Sequence, residues 1–278
     1  MKRPLIVAHR GYPSKAIENT IESFRIAFES GADFVEGDFW LSSDREIVCI
    51  HDENLLRVTN KTNSLNITNS NLSSIKSVDF FNEKFNQRLV IPTLEEVLEI
   101  IPPEKGLFIE LKDHRLELVD VLKLKLKKIN FKSERLRIIS FHPSSLKYSK
   151  SVLPEIKTHL LFDWLLVREK CKNKIVFHRF LQLLNEIHCD GININYSPNI
   201  NEEFVRKIKD AGFEIGVYDA NDENSLLKTI GLDVDFITTD YPDLALKILT
   251  EVKNKSKHLK IISPLVLKPR SIIKIRFC

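Results

Sequence analysis

The chain predicts an α/β fold, a TIM (β/α)8 barrel with a small insertion after a hairpin that follows the second strand. Three observations carry this prediction. Short apolar runs of strand length alternate with longer stretches of helical spacing, the pattern of parallel βαβ units. The alternation repeats eight times within 278 residues, a size that suits one barrel. The early strand candidates end in ionisable residues, where such barrels carry their chemistry. A doubly wound open sheet shows the same alternation, so periodicity alone leaves it as the structural competitor.

The first strand runs from Leu5 to His9, a helix covers about 20–29, and the second strand runs from Phe34 to Asp38. Glu46 to His51 is an extra strand, separated from Asp38 by only seven residues. A parallel crossover needs about a dozen or more, so this strand folds back through Ser42-Ser43-Asp44-Arg45 and lies beside the barrel mouth. Residues from about 54 to 90 are rich in Asn, Ser and Thr and weakly periodic. That is long for a connection and reads as an inserted loop or small subdomain over the same mouth. The barrel then resumes with a helix at 93–101, strand Leu107 to Lys112, a helix at 115–128, strand Arg137 to Phe141 and a helix at 143–151. It finishes with strand Thr158 to Phe162, helix 164–187, strand Gly191 to Asn195, helix 202–211, strand Phe213 to Asp219, helix 222–229, strand Phe236 to Thr239 and helix 243–253.

Hydrophobic residues at 43% and charged residues at 29% describe a chain that buries a real core, which excludes a disordered or collagen-like protein. The four cysteines, Cys49, Cys171, Cys189 and Cys278, form no CxxC pair, so a zinc ribbon and a thioredoxin-type motif are both excluded. Met1-Lys2-Arg3-Pro4 runs straight into Leu5 with no apolar leader region, and no apolar run approaches the roughly 20 residues of a spanning helix. The expected location is cytoplasmic. The net charge of +4 is unevenly placed: residues 253–278 carry eight Lys or Arg and no Asp or Glu, leaving 34 − 38 = −4 for residues 1–252. Residues 1–252 therefore read as an acidic barrel domain and 253–278 as a basic tail. Such a tail is usually solvated; its Ile, Leu and Val suit a weak contact with an anionic membrane surface. No nucleic-acid partner is expected.

The strand ends hold the chemistry. The first ends in His9-Arg10-Gly11, the second carries Glu36 and Asp38, the hairpin strand ends in His51-Asp52, and the third barrel strand carries Glu110 and Lys112. Side chains alternate at period two, so Glu36 and Asp38 share a face, as do Glu110 and Lys112. Three carboxylates at one mouth repel unless a cation sits between them. With no thiolate present, a hard divalent ion is the natural occupant: Mg²⁺ or Ca²⁺, with Mn²⁺ also suited. Two imidazoles able to exchange protons near neutral pH and two cations, Arg10 and Lys112, complete a phosphate-ester site. Asp52 either orients His51 or opens the next loop. His114, His142, His159, His178, His188 and His258 read as structural.

At these residues the chain resembles the glycerophosphodiester phosphodiesterases. The matching text is Ala8-His9-Arg10-Gly11, Glu18-Asn19-Thr20, Val35-Glu36-Gly37-Asp38, His51-Asp52, Pro92-Thr93-Leu94-Glu95-Glu96, Glu110-Leu111-Lys112, Ser140-Phe141 and Thr239-Asp240-Tyr241-Pro242, covering about residues 4–250. The resemblance implies hydrolysis of a small glycerophosphodiester to glycerol 3-phosphate and an alcohol. It places metal ligands on Glu36, Asp38 and Glu110, an acid/base pair on His9 and His51, and phosphate ligands on Arg10 and Lys112. Glu18 is similar to a glutamate lining the family's metal site, with Asn19 as its support. Three departures stand out: Ile17 where the family has Pro, Asp44-Arg45 where Asp-Gly is usual, and Val217-Tyr218-Asp219-Ala220-Asn221 where a Trp and a hydrophobic residue precede the Asn. Tyr218 in the Trp position leaves head-group preference open. A lysophospholipase D acting on longer lipids, and a barrel that binds phosphodiesters without turnover, are the alternatives.

Overall fold

The computed structural model describes residues 3–163 and 174–262. Its strands are β1 (Leu5–Ala8), β2 (Phe34–Leu41), β3 (Ile47–Cys49), β4 (Phe81–Asn82), β5 (Gln87–Arg88), β6 (Gly106–Leu111), β7 (Leu136–Ser140), β8 (Lys157–Phe162), β9 (Gly191–Asn195), β10 (Glu214–Tyr218) and β11 (Phe236–Thr239). The helices are α1 (Ile21–Glu29), α2 (Leu72–Lys76), α3 (Leu94–Glu99), α4 (Glu117–Ile129), α5 (Pro143–Val152), α6 (Lys174–Glu186), α7 (Glu202–Asp210), α8 (Glu223–Gly231) and α9 (Pro242–Ile262). Eight parallel strands run in the order β1-β11-β10-β9-β8-β7-β6-β2, and β1 pairs with β2 at Val7↔Phe34. That last pairing closes the sheet into a TIM barrel and rules out the open-sheet competitor.

Strand alternation divides the core in two. Val7, Phe108, Ile139, Leu161 and Phe236 point inward and pack the barrel floor, where Phe108 meets Phe34 and Phe236 edge to face at centroid distances of 5.3 and 5.2 Å. Such ring pairs contribute about 0.5–1.5 kcal/mol each beyond burial. Their outward neighbours, such as Ile6, Val35, Leu107, Ile109 and Ile138, pack under the helices in the larger cluster. The helices start where capping chemistry allows. Thr93 and Glu96 form a reciprocal capping box at α3, Asp222 and Ser225 another at α8, and Thr20 and Asn201 cap α1 and α7.

β3 runs antiparallel to the mouth end of β2 in the register Phe39↔Cys49 to Leu41↔Ile47, as the short connection requires. Arg45, where a glycine is usual, holds a left-handed φ of 64° in the turn and ion-pairs with Glu117 at 3.0 Å. The insertion is more ordered than its composition suggested. Leu55, Ile67, Ile75 and Leu89 build a cluster with Ile17, Val48, Ile50 and Ile91, and it contains α2 and the β4/β5 hairpin. The expected helix at 164–187 is seen from Lys174, its earlier residues lying outside the described ones. The last helix continues past 253 to Ile262, and residues 263–278 of the basic tail also lie outside the described residues. Among the described residues no helix is long and apolar enough to cross a membrane.

Candidate active site

The site is assembled by short sharp turns at the mouth. Arg10 and Gly11 leave β1 with φ of 52° and 85°. A Cβ on Gly11 would lie 2.4 Å from Ser23 Oγ, so only glycine fits this turn. The turn aims the Arg10 N–H at Glu36 Oε2 at 3.0 Å and presents its carbonyl to the Asn19 N–H, also at 3.0 Å. Asn19, itself at φ 58°, clamps Asp38: its Nδ2 donates to Asp38 Oδ2 at 2.8 Å, and its Oδ1 accepts from the Asp38 N–H at 3.2 Å. The hairpin returns the chain to the same level, where the Ile50 N–H donates to the Asp38 carbonyl at 2.8 Å. His51 thereby arrives beside the carboxylates.

Among the described residues one group of three metal-capable side chains gathers: Glu36, Asp38 and Glu110, all buried, with candidate ligand oxygens within 4.8 Å of one another. Glu36 Oε1 and Asp38 Oδ1 are buried without a hydrogen-bond partner, which is expensive for carboxylate oxygens. Orphaned hard oxygens facing one another fit a divalent cation. Burial and the neighbouring Asp38 charge push Glu36 up to about 8 and Glu110 up to about 7. Burial acts on Asp38 too, but Arg10 and Lys112 outweigh it and hold this carboxyl below its ordinary range. Arg10 Nε lies 3.2 Å from Asp38 Oδ2 in ion-pair contact, off the hydrogen-bond direction. Lys112 Nζ is 2.9 Å from Glu110 Oε1 and 3.5 Å from Asp38 Oδ1.

Each of the two predicted histidines is anchored by an aspartate. His51 Nδ1 is 2.7 Å from Asp52 Oδ1, and Lys112 Nζ stands 3.3 Å from its Nε2. Asp52 thus touches the imidazole directly while it opens the following loop. His9 Nδ1 is 2.8 Å from Asp240 Oδ1, while Asn221 Nδ2 donates to the other Asp240 oxygen at 2.9 Å. Burial disfavours a charged His9, yet the Asp240 hydrogen bond and the Glu36 field raise it to about 9. Burial lowers His51.

Glu18 lies outside the carboxylate trio. It bridges Arg10, at 3.1 Å, and Arg57, which donates to it at 2.7 and 3.1 Å and to Asp52 at 2.5 Å. Sequence reasoning missed Arg57, half-exposed in a weakly patterned insertion, and gave no role to Asp240, although Asp240 follows a strand end as His9 and Lys112 do. A cavity of about 210 Å³ opens between these groups. Its two walls differ in charge. His9, Arg10, Glu36, His51, Glu110 and Lys112 line one side, and Ile139, Phe141, Leu161, Asn193, Tyr218, Asp219 and Thr238 the other, where Asp219 is the single charged group among the described residues. The Tyr218 hydroxyl donates to the Phe162 carbonyl at 3.1 Å.

A glycerophosphodiester phosphodiesterase of Bacillus altitudinis is 32% identical over 260 residues, covering 89% of this chain and 99% of that protein. One from Caldanaerobacter subterraneus subsp. tengcongensis is 31% identical over 255 residues, covering 89% and 98%. Among solved structures, an Oleispira antarctica phosphodiesterase in complex with the product sn-glycerol-3-phosphate superposes with a TM-score of 0.76 at 28% identity, covering 89% of this chain and 97% of that one. A Thermotoga maritima glycerophosphodiester phosphodiesterase gives 0.70 at 26% identity, covering 89% and 99%. Residues 9–244 match the glycerophosphoryl diester phosphodiesterase family, and the chain belongs to that family.

Proposed function

We infer that the protein hydrolyses glycerophosphodiesters to glycerol 3-phosphate and an alcohol. The observation that carries this reading is one cavity whose charged wall joins two Asp-anchored histidines, two cations and the carboxylates Glu36 and Glu110, with Asp38 buried beside them and Glu36 Oε1 and Asp38 Oδ1 left without hydrogen-bond partners. A divalent cation held by Glu36, Asp38 and Glu110, Mg²⁺, Ca²⁺ or Mn²⁺, would supply positive charge against the phosphoryl oxygens. Arg10 and Lys112 bind the same phosphate from the sides. Asp240 and Asp52 fix the Nδ1 atoms of His9 and His51, which turns each Nε2 toward the cavity. Between them the two imidazoles take the nucleophile's proton and give one to the leaving oxygen, a division of labour that contributes about 10²–10⁴-fold.

The test is release of glycerol 3-phosphate from glycerophosphocholine and glycerophosphoethanolamine by purified protein with each cation, with and without chelator. Cation-dependent release that is lost in His9→Ala supports the reading; no release from either diester with any cation refutes it. The hydrocarbon that Ile139, Phe141 and Leu161 present to the cavity, with Phe141 48% exposed at the rim, supports a second reading as a lysophospholipase D. Turnover of lysophosphatidylcholine faster than of the water-soluble diesters would select it.

A further inference from the structure

The charged wall accounts for the phosphate, and the opposite wall holds a buried polar atom that has no partner. Asn193 lies at the middle of β9 and is 2% exposed. Its neighbours Ile192 and Ile194 turn outward into the helix-facing core, so Asn193 turns into the barrel and lines the cavity. Its Oδ1 is buried with no hydrogen-bond partner. The neighbouring strand makes room for it. Gly216 of β10 is the register partner of Asn193, and a Cβ there would lie 2.0 Å from Asn193 Oδ1. A glycine in mid-strand weakens a sheet and signals close approach by another group; here the approaching group is this carboxamide.

Buried amides normally have partners. One left without any on a cavity wall, in space cleared by a mid-strand glycine, is arranged for a partner that enters with the ligand. Among the described residues this side of the cavity carries no cation, and its one charged group, Asp219, is a carboxylate. Ile139 and Leu161 present hydrocarbon, and the Tyr218 hydroxyl proton is already given to a carbonyl. A carboxamide offers both an acceptor and donors, which matches a hydroxyl and not a second anion. We propose that Asn193 binds a hydroxyl of the substrate's glycerol unit, and that Gly216 sets its position. This rests on the phosphodiesterase reading and deepens it by assigning selection for the polyol part of the substrate.

The experiment compares two ligands that share a phosphate monoester and differ in hydroxyls, sn-glycerol 3-phosphate and ethyl phosphate, by calorimetric titration into the Mg²⁺-loaded protein. The unsubstituted protein is expected to bind glycerol 3-phosphate about tenfold or more tightly, the yield of about one net hydrogen bond. Asn193→Leu, close in volume and apolar, should erase that preference and leave ethyl phosphate binding unchanged. Gly216→Ala, which displaces the carboxamide without removing it, should erase most of the same preference and serves if Asn193→Leu does not fold. Equal weakening of both ligands, an unaltered preference in the variants, or no preference in the unsubstituted protein overturns the assignment. Turnover of glycerophosphocholine by the unsubstituted protein tests the phosphodiesterase reading separately, so turnover without hydroxyl discrimination sinks the Asn193 role alone.

Discussion

Protons and a cation compete for the same three carboxylates, which ties the stability of the protein to pH in a measurable way. Without a cation, burial and the Asp38 charge raise Glu36 to about 8 and Glu110 to about 7 from an ordinary 4.5. Raised folded values mean that the folded chain holds these protons after the unfolded chain has lost them. Their contribution is therefore fully present below pH 4.5 and lost as pH rises through 7 and 8. Cation-free protein should weaken across that window. A cation entering below pH 7 must displace two protons, so its apparent affinity should climb by up to ~100-fold per pH unit, and by ~10-fold between pH 7 and 8. At pH 8, with free cation at about 100 times its Kd, the stabilisation is about 2.7 kcal/mol, or about 5–10 °C in Tm for a chain of this size. At pH 5 the same concentration lies far below the apparent Kd, and the shift should be under about 1 °C. Thermal unfolding at pH 5, 6, 7 and 8 with Mg²⁺, Ca²⁺, Mn²⁺ or chelator measures this directly. A shift of equal size at pH 5 and 8, or none at pH 8 with any of the three ions, would refute the argument.

Two further predictions test the anchors. Because Asn221 already donates to Asp240 Oδ2, Asp240→Asn must turn its own NH₂ toward His9 and impose the other imidazole tautomer; kcat should fall by about 10²-fold or more, and an unchanged kcat would remove Asp240 from the mechanism. At the barrel floor, burial pushes Glu214 up, but the hydrogen bond from buried His159 at 2.9 Å, with Lys157 and Arg137, outweighs it and holds the carboxyl at about 2. A depressed carboxylate contributes stability above its unfolded value of 4.5 that is lost as pH falls toward 2. Acid unfolding should therefore be steeper in the native protein than in Glu214→Gln, and superimposable curves between pH 4.5 and 2 would dismiss this ion pair as a stabilising element.

Much of the barrel was legible because its code is local. Alternating apolar runs and helical spacing report burial one residue at a time, and the seven-residue gap before the hairpin forced an antiparallel return that β3 makes. The insertion was less legible. Leu55, Ile67, Ile75 and Leu89 sit at irregular intervals and gain meaning only when folded against Val48 and Ile50.

By itself the sequence determined the eightfold alternation of strand and helix, the motifs shared with the phosphodiesterase family, and the pairing of Glu36 with Asp38 and of Glu110 with Lys112, because strand periodicity dictates which side chains share a face; closure of the sheet came from the β1–β2 pairing. Only the tertiary structure decided the partners drawn from distant strands. His9 meets Asp240 across the closure of β1 against β11, Arg57 reaches Glu18 out of the insertion, and Asn193 occupies the space vacated at Gly216. The physical reason is range: periodicity fixes a side chain's direction along its own strand, whereas barrel closure and register between strands set which other side chain it faces.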